Sequence, residues 1–250
     1  GSGYNYDYTV DWGDGTGLFP VVSYDDPNST HTYTDAGIYT IMISGLCETF
    51  MVDWSYMYEL TTVLQWGNIG LLRFNMYGSQ SLTSVPDDTL GAFSLLTDLS
   101  SAFSYCSSLS LIPSGLFTYA TNVSTFTDIF NSSTSLTSVP VGLFDNCTSA
   151  TDFTNAFYGC NITTIPSGLF DYNINVTSFV STFSYCSSLT FLPNGLFDNC
   201  MSVTDFTECF YDCNLLTGET SELWTRVPEP TGTDCFSNCT LLSNYPYIPV

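Results

Sequence analysis

Residues 156–160 read Ala156-Phe157-Tyr158-Gly159-Cys160, in which a large apolar residue stands three positions before a small one. Successive copies of this pair lie 27, 27, 27, 26, 27 and 26 residues apart. A period held so tightly over seven copies predicts a repeat protein. The pairs are Met76/Ser79, Phe103/Cys106, Phe130/Ser133, Phe157/Cys160, Phe183/Cys186, Phe210/Cys213 and Phe236/Cys239.

Two further motifs recur in step with this pair. A proline follows an aliphatic residue in five repeats, and four repeats continue with Gly-Leu-Phe, as in Ile165-Pro166 and Gly168-Leu169-Phe170. A single repeat has too few apolar residues to bury them alone, so we expect the repeats to stack around one continuous core. Segments such as Val176 to Phe183 favour short strands. The pattern predicts a leucine-rich-repeat-type solenoid over residues 76–250 with a degenerate C-terminal end.

The repeat motifs resemble those of the BspA-like leucine-rich-repeat surface proteins of bacteria. The resemblance is carried by Ala156-Phe157-Tyr158-Gly159-Cys160 and by the tracts Cys106-Ser107-Ser108-Leu109 and Cys186-Ser187-Ser188-Leu189. It covers about 70% of the chain. It implies the solenoid fold, whereas such solenoids have several functions, among them adhesion, host contact and structural scaffolding.

Residues 1–50 follow a different pattern. Asp11-Trp12-Gly13-Asp14-Gly15-Thr16 forms a tight Asp/Gly turn, and His31-Thr32-Tyr33 precedes a second strand-like run from Tyr39 to Ser44. These motifs resemble the second half of a PKD-type, immunoglobulin-like domain, which implies an extracellular β module. Residues 51–75 are then a connecting or N-terminal capping segment.

The predicted fold is therefore mainly β, with a partial β-sandwich (PKD-like) module followed by a solenoid of 26–27-residue repeats. Only three residues precede Tyr4, so the module either lacks its leading strands or obtains one from elsewhere. An open sheet edge is available to a strand from a neighbour. The alternative is that the module packs directly on the first repeat through Trp54, Tyr56, Tyr58 and Trp66.

The charge of the chain excludes several classes of partner. The sequence has 2 Lys plus Arg against 24 Asp plus Glu, for a formal net charge of −22. Binding to nucleic acid or to anionic lipid needs a basic surface, so we expect neither. The apolar stretches are also too short to cross a membrane, so we expect no membrane insertion.

No catalytic motif stands out. The single histidine, His31, belongs to the His-Thr-Tyr motif, and the Asp98, Asp152 and Asp205 carboxylates recur at one repeat position. A unique catalytic pair would not be expected to recur with the period of the fold. We therefore expect a chain that is not an enzyme and binds no organic cofactor.

Calcium is the one metal that the sequence suggests. Four carboxylates cluster around the N-terminal turns, and oxygen-rich loops suit Ca²⁺. Aspartates are also routine in hairpin turns, and both interpretations stay open here. The four residues are Asp11, Asp14, Asp25 and Asp26.

Ten cysteines in 250 residues favour an oxidising, extracellular or cell-surface location. Cys147 and Cys200 occur only in repeats that also carry a cysteine thirteen residues later, which favours the bonds Cys147–Cys160 and Cys200–Cys213. Cys209 and Cys235 share one position of adjacent repeats and form a third candidate pair. The alternative is a ladder of small buried thiols that never pair.

Seven Asn-x-Ser/Thr sequons suggest surface glycosylation, although a chain this rich in Ser and Thr contains several by chance. They begin at Asn28, Asn122, Asn131, Asn146, Asn161, Asn175 and Asn238.

Two functions fit the sequence. The first is an extracellular structural subunit that associates with itself through its chain ends, because residues 241–250 carry no charged side chain. The second is an adhesin that binds a glycan or a host protein through the solenoid face, where tyrosines recur at Tyr105, Tyr158, Tyr185 and Tyr211.

Overall fold

The structure is a computed structural model that describes residues 3–51, 58–219, 223 and 226–244. The described residues form strands, single-residue β-bridges and turns, and their three-residue 3₁₀ helix is Pro27–Ser29. The expectation of a mainly β protein is confirmed at this level. Trp54, Tyr56 and residues 245–250 lie outside the described residues.

The N-terminal residues form one antiparallel sheet of three strands. Its strands are β1 (Tyr6–Asp11), β2 (Leu18–Val21) and β3 (Met42–Cys47), in the order β2-β1-β3. Gly45 has a φ of 109°, and a Cβ there would stand 2.5 Å from the Asp7 carbonyl oxygen, so only glycine fits this approach of β3 to β1.

This sheet has a small core of its own. Val10, Val21 and Cys47 are buried, whereas Ile38 and Met42 are largely exposed. Within residues 3–51 no second sheet faces it, so the sandwich expected for the PKD-like module is not formed by the described residues. The predicted strand from Tyr39 begins at Met42, because Tyr39 stacks on Tyr33, with ring centroids 4.0 Å apart.

Two short parallel strands lead from the sheet into the repeats. Strand β4 (Thr49–Met51) pairs with β5 (Arg73–Asn75). The Trp66 ring packs against Phe74 and Phe93, and its indole nitrogen donates to the Pro86 carbonyl at 2.8 Å. Of the aromatic residues expected at this junction, Trp66 is therefore buried in the repeat core, whereas Tyr58 is exposed.

The repeats lie on one another in parallel register. We call residues 76–219 and 226–243 the repeat stack. Parallel bridges connect equivalent residues of successive repeats, in the series Asp98, Thr125, Asp152, Ser178, Asp205 and Thr231.

The strands expected around Val176 to Phe183 are reduced to these single bridges. The reason is that each repeat turns back on itself directly after the bridge. The Asp128 carbonyl accepts from the Asn131 N–H, for example, and both Asp128 and Ser132 have a φ near +56°. An extended strand has neither feature.

The core of the stack consists of phenylalanine ladders. The Phe157 ring lies parallel to Phe130 at 5.6 Å and to Phe183 at 5.5 Å, and all three side chains are fully buried. A second ladder runs through Phe144, Phe170 and Phe197. Each repeat therefore buries its large rings against those of its two neighbours.

Replacing a ladder ring should destabilise the whole stack. We expect Phe157→Ala to lower the free energy of unfolding by about 3–5 kcal/mol, because it removes a fully buried ring. Phe191→Ala is the matched control, since this ring is 51% exposed and its loss should cost below about 1 kcal/mol. Urea denaturation followed by circular dichroism measures both. Equal destabilisation would contradict the ladder as the source of stability.

Candidate functional site

A row of backbone hydrogen bonds connects each repeat to the next one. Four alternate N–H groups of each turn donate to four carbonyls of the following repeat, at 2.7–3.1 Å. In one repeat the donors are Phe126, Asp128, Phe130 and Ser132, and the acceptors are Asp152, Thr154, Ala156 and Tyr158. We call these segments donor turns; they are residues 99–105, 126–132, 153–159, 179–185, 206–212 and 232–238.

The direction of these bonds makes the two ends of the stack different. In all donor turns from 99–105 to 206–212, the N–H groups point toward the C-terminal end. Residues 232–238 are the last donor turn that the structure describes. The N–H groups of Gly232, Asp234, Phe236 and Asn238 therefore have no acceptor among the residues that the structure describes. They form a row of four donors at the C-terminal end.

Side-chain hydrogen bonds hold this row in place, and its residues differ in exposure: Asn238 is exposed, Gly232 and Asp234 are half-buried, and Phe236 is buried. The Ser237 hydroxyl donates to Asp234 Oδ1 at 2.7 Å, and the Asn238 amide donates to Asp212 Oδ1 at 2.8 Å. Leu241 beyond the row is 54% exposed. The end thus combines a fixed row of backbone donors with exposed apolar surface.

Arg226 closes the turn below this end. Its guanidinium donates to the Cys200 carbonyl at 2.8 Å and to the Phe197 carbonyl at 2.6 Å, and it lies 5.5 Å from the centre of the Phe206 ring. Asn173 makes the equivalent pair of bonds, to Phe144 and Cys147. The sequence alone did not indicate a role for Arg226. The repeat spacing contained the signal, because Arg226 follows Asn173 and Cys200 at the same repeat position.

The predicted disulfides are not formed. All ten cysteines are buried thiols. The Cys213 thiol lies close enough to Cys239 to shift its pKa, and Cys209 and Cys235 likewise influence each other.

Cys213 therefore has Cys239 as its partner instead of the predicted Cys200, because equivalent positions of adjacent repeats face each other. Cys160 likewise belongs to the ladder that continues with Cys186, and its thiol contacts the Phe130 carbonyl at 3.1 Å. Only the predicted Cys209/Cys235 pair is brought together.

Burial raises the pKa of most of these thiols, as at Cys106, where it reaches about 12. Cys239 differs, because the hydrogen bond from the Cys213 thiol outweighs its burial and lowers its pKa. The Cys213 pKa is raised well above its usual range by the same hydrogen bond and by burial. Cys239 is therefore the more acidic thiol of this pair.

The structure does not bring the four predicted calcium ligands into one metal site. Each carboxylate instead caps its own turn: Asp11 accepts from the Gly13 N–H, Asp14 from Thr16, Asp25 from the Ser23 hydroxyl and Asp26 from the N–H of Asn28. Among the described residues there is no group of three or more His, Cys, Asp or Glu side chains able to hold a metal ion.

Asp14 and His31 pair within the turns of the N-terminal module. His31 Nε2 lies 2.7 Å from Asp14 Oδ2, and the imidazole stacks on Trp12 with ring centroids 5.3 Å apart. Hydrogen bonds from Thr16, followed by the contact with His31, lower the Asp14 pKa to about 2. The pair thus closes the Asp/Gly turn onto the segment that carries His31.

The recurring aspartates also have a local role. Asp98, Asp152 and Asp205 each accept the backbone N–H two residues later, at 2.7–2.8 Å. They stabilise the start of a donor turn in each of three repeats.

The sequons lie at the edges of the repeats. Asn122, Asn146, Asn161, Asn175 and Asn238 are exposed, and Asn28 and Asn131 are half-buried. Three of the amides donate to a carbonyl of the preceding repeat at 2.7–3.0 Å, which gives these asparagines a structural role independent of glycosylation; they are Asn122, Asn161 and Asn175.

The recurring tyrosines form two clusters of contacting rings on the surface. Tyr77 and Tyr105 lie 5.3 Å apart, and Tyr158, Tyr185 and Tyr211 follow one another at 5.1 and 5.4 Å. Ser132 occupies the repeat between the clusters. The tyrosines predicted as a binding face are thus adjacent; Tyr105 and Tyr185 are exposed, whereas Tyr158 and Tyr211 are half-buried.

No helix in the described part of the chain has the length and apolar character needed to cross a membrane.

Comparison with known proteins identifies no family for this chain. No family model matches the sequence, and no curated protein matches it. Among solved structures, one similar chain belongs to "Structure of the Toll - Spatzle complex, a molecular hub in Drosophila development and innate immunity", at 14% sequence identity and a TM-score of 0.25. The match covers 62% of this chain and 28% of that chain.

Removing the Arg226 side chain should loosen the C-terminal end of the stack. We expect Arg226→Ala to lower the free energy of unfolding by about 1–3 kcal/mol, because it leaves two carbonyls without donors. Arg226→Lys keeps the positive charge but lacks the planar guanidinium that bonds both carbonyls. It should therefore recover only part of the lost free energy of unfolding. Urea titration measures the change. Full recovery of stability by lysine would contradict a role for the paired hydrogen bonds from Arg226 to the two carbonyls.

The Asp14 carboxylate should make the N-terminal module acid-sensitive. Its folded pKa of about 2 lies below the unfolded value of about 4, so its stabilisation is complete above pH ~4 and is lost as the pH falls toward 2. We expect Asp14→Asn to remove this part of the pH dependence, and Asp25→Asn to leave it. The Trp12 indole resonance in NMR spectra, recorded between pH 5 and 2, reports on the module. An unchanged acid transition in Asp14→Asn would overturn this assignment.

Proposed function

We propose that this chain is a non-enzymatic extracellular structural protein whose repeats form a leucine-rich-repeat-type solenoid, and that it associates with itself into a fibre or filament. The observation that supports this most directly is the row of four donor N–H groups at residues 232–238. Inside the stack, every such row is satisfied by another backbone. A second copy of the chain is the partner that satisfies it in the same way.

Association through this row is head-to-tail. A row of donors needs a row of acceptors, so two C-terminal ends cannot pair with each other through it. An exposed strand edge supplies carbonyls, and β3 is bonded to β1 on one side only for most of its length. Contacts between unlike surfaces propagate into open chains unless the rotation closes a ring. The proposed assembly is therefore a linear one.

The apolar surface at the two ends suits such a contact. Leu241 is exposed beside the donor row, and Met42 and Ile38 are exposed on and beside β3. Exposed apolar side chains near an unpaired strand edge are typical of sites of strand addition. Their burial would add to the backbone hydrogen bonds.

Charge sets the conditions for assembly. Each copy has a formal net charge of −22, so copies repel one another at low ionic strength. Salt screens this repulsion, with a Debye length of about 10 Å at 0.1 M. Assembly through backbone and apolar contacts should therefore strengthen as salt is added, whereas an ion-paired contact would weaken.

The extracellular location and the BspA-like affiliation are part of the same proposal. They are supported by ten cysteines, exposed sequons and the repeat motifs. The second candidate is an adhesin that binds a glycan or a protein, which the Tyr158, Tyr185 and Tyr211 cluster favours. Tyrosine rings offer apolar faces with a polar tip, a combination enriched at binding surfaces.

Removing one donor of the row should weaken assembly selectively. In Gly232→Pro the ring replaces an N–H that has no acceptor among the described residues, and a Cβ at this position meets no atom within 4 Å. We expect the concentration for half-assembly to rise about fivefold, because one backbone bond contributes about 1 kcal/mol. Light scattering at 0.3 M salt with electron microscopy measures this.

Gly232→Ala is the matched control, since it adds a side chain and keeps the N–H. It should assemble like the unmodified chain. A chain that stays monodisperse over all concentrations and salt conditions would refute self-association. The tyrosine cluster would then be tested against glycan arrays with a Tyr185→Ala variant.

A further inference from the structure

Two pairs of cysteines lie at or next to equivalent positions of the donor turns 206–212 and 232–238. Cys209 and Cys235 occupy equivalent positions of these two turns, and so do Cys213 and Cys239. Between the pairs, the Phe210 and Phe236 rings stack at 5.2 Å with an interplanar angle of 9°. The four thiols therefore occupy matched positions on two adjacent turns.

The backbone sets a separation suited to disulfides. The Phe210 N–H donates to the Cys235 carbonyl at 2.8 Å, and Cys239 Sγ lies 3.0 Å from the Phe210 carbonyl that also accepts the Cys213 N–H. Hydrogen-bonded neighbouring chains lie about 4.8 Å apart, within the ~4.4–6.8 Å Cα separation of disulfides. Both pairs occupy equivalent positions of turns joined by this row of bonds, so both are expected at about this separation.

We propose that these two pairs are a modification site at which a small-molecule disulfide, such as oxidised glutathione, forms the bonds Cys209–Cys235 and Cys213–Cys239. The site goes beyond the proposed function, because it fixes the terminal repeat whether or not copies assemble. Its two bonds would fasten the last donor turn to the one before it.

The reaction is thiol–disulfide exchange. The Cys239 thiolate attacks one sulfur of oxidised glutathione, whose S–S bond breaks and releases one glutathione thiolate. Cys213 passes its proton to that thiolate, and its sulfur attacks Cys239 Sγ and releases the second glutathione. Two protein thiols are oxidised, and one glutathione disulfide is reduced to two thiols. The Cys209 and Cys235 pair reacts in the same manner.

Position in the stack explains why these pairs would react before the others. All four side chains are buried, so the oxidant reaches them only when the structure opens locally. Terminal units open more readily than internal ones, and no described repeat follows residues 232–238. The Cys160 and Cys186 positions, in contrast, have repeats on both sides.

The test is a thiol count before and after oxidation of the purified chain. Incubation with excess oxidised glutathione, followed by titration in denaturant, should lower the number of free thiols from ten to six. Peptide mapping should identify the two cross-links. Cys239→Ser should then lose only two thiols on oxidation, in the Cys209–Cys235 bond.

Cys106→Ser is the matched control, because the neighbours of Cys106 in its ladder are Ser79 and Ser133 and it has no thiol partner. It should still lose four thiols. Cys235→Ala provides a second variant, in which only Cys213–Cys239 forms, should Cys239→Ser fail to fold. Ten free thiols after oxidation, or cross-links at Cys160–Cys186 in their place, would overturn the proposal. Because the assay reads cross-links in one chain, its result is independent of filament formation.

Discussion

The rest of the structure depends on the direction of the backbone hydrogen bonds between donor turns. Each turn gives four N–H groups to the next repeat and receives none from it through the same positions. A single repeat therefore cannot pair all of its own backbone N–H and C=O groups, because those that are buried need hydrogen-bond partners on the neighbouring repeat. This constraint fixes the parallel register, brings equivalent side chains face to face and makes one end of the stack a row of donors.

The ladders follow from that register. Stacked phenylalanines fill the centre because equivalent positions repeat at ring-contact distance, as in Phe157 and Phe183 at 5.5 Å. The same geometry places cysteine beside cysteine and tyrosine beside tyrosine. Features that look like separate sites in the sequence are therefore consequences of a single repeat distance. A ladder of equivalent residues can contact a partner where its side chains are exposed, as at Tyr185, or where the row of repeats ends, as at Gly232.

The sequence predicts the period, the repeat positions and the buried ladders well, because each repeat places the same residue type at the same position. It fails where local geometry decides. The segment from Val176 to Phe183 contains strand-forming residues, yet turns with positive φ at Ser181 replace the strand. Cys213 was expected beside Cys200, thirteen residues away in the sequence, but the register makes Cys239 its neighbour. For the Asp14 carboxylate the sequence left calcium and a hairpin turn open, and in the structure it closes a turn with Thr16 and His31. Arg226 was predictable only by extending the repeat alignment into its degenerate end.

The most direct test of the directional row is residue-resolved amide hydrogen exchange as a function of protein concentration. At low concentration, the amides of Gly232, Asp234 and Asn238 should exchange rapidly, while those of Phe206, Glu208, Phe210 and Asp212 stay protected. At concentrations where copies assemble, the first set should become protected as well. Slow exchange of the Gly232, Asp234 and Asn238 amides in the monomer, or their unchanged rapid exchange within assemblies, would contradict the account.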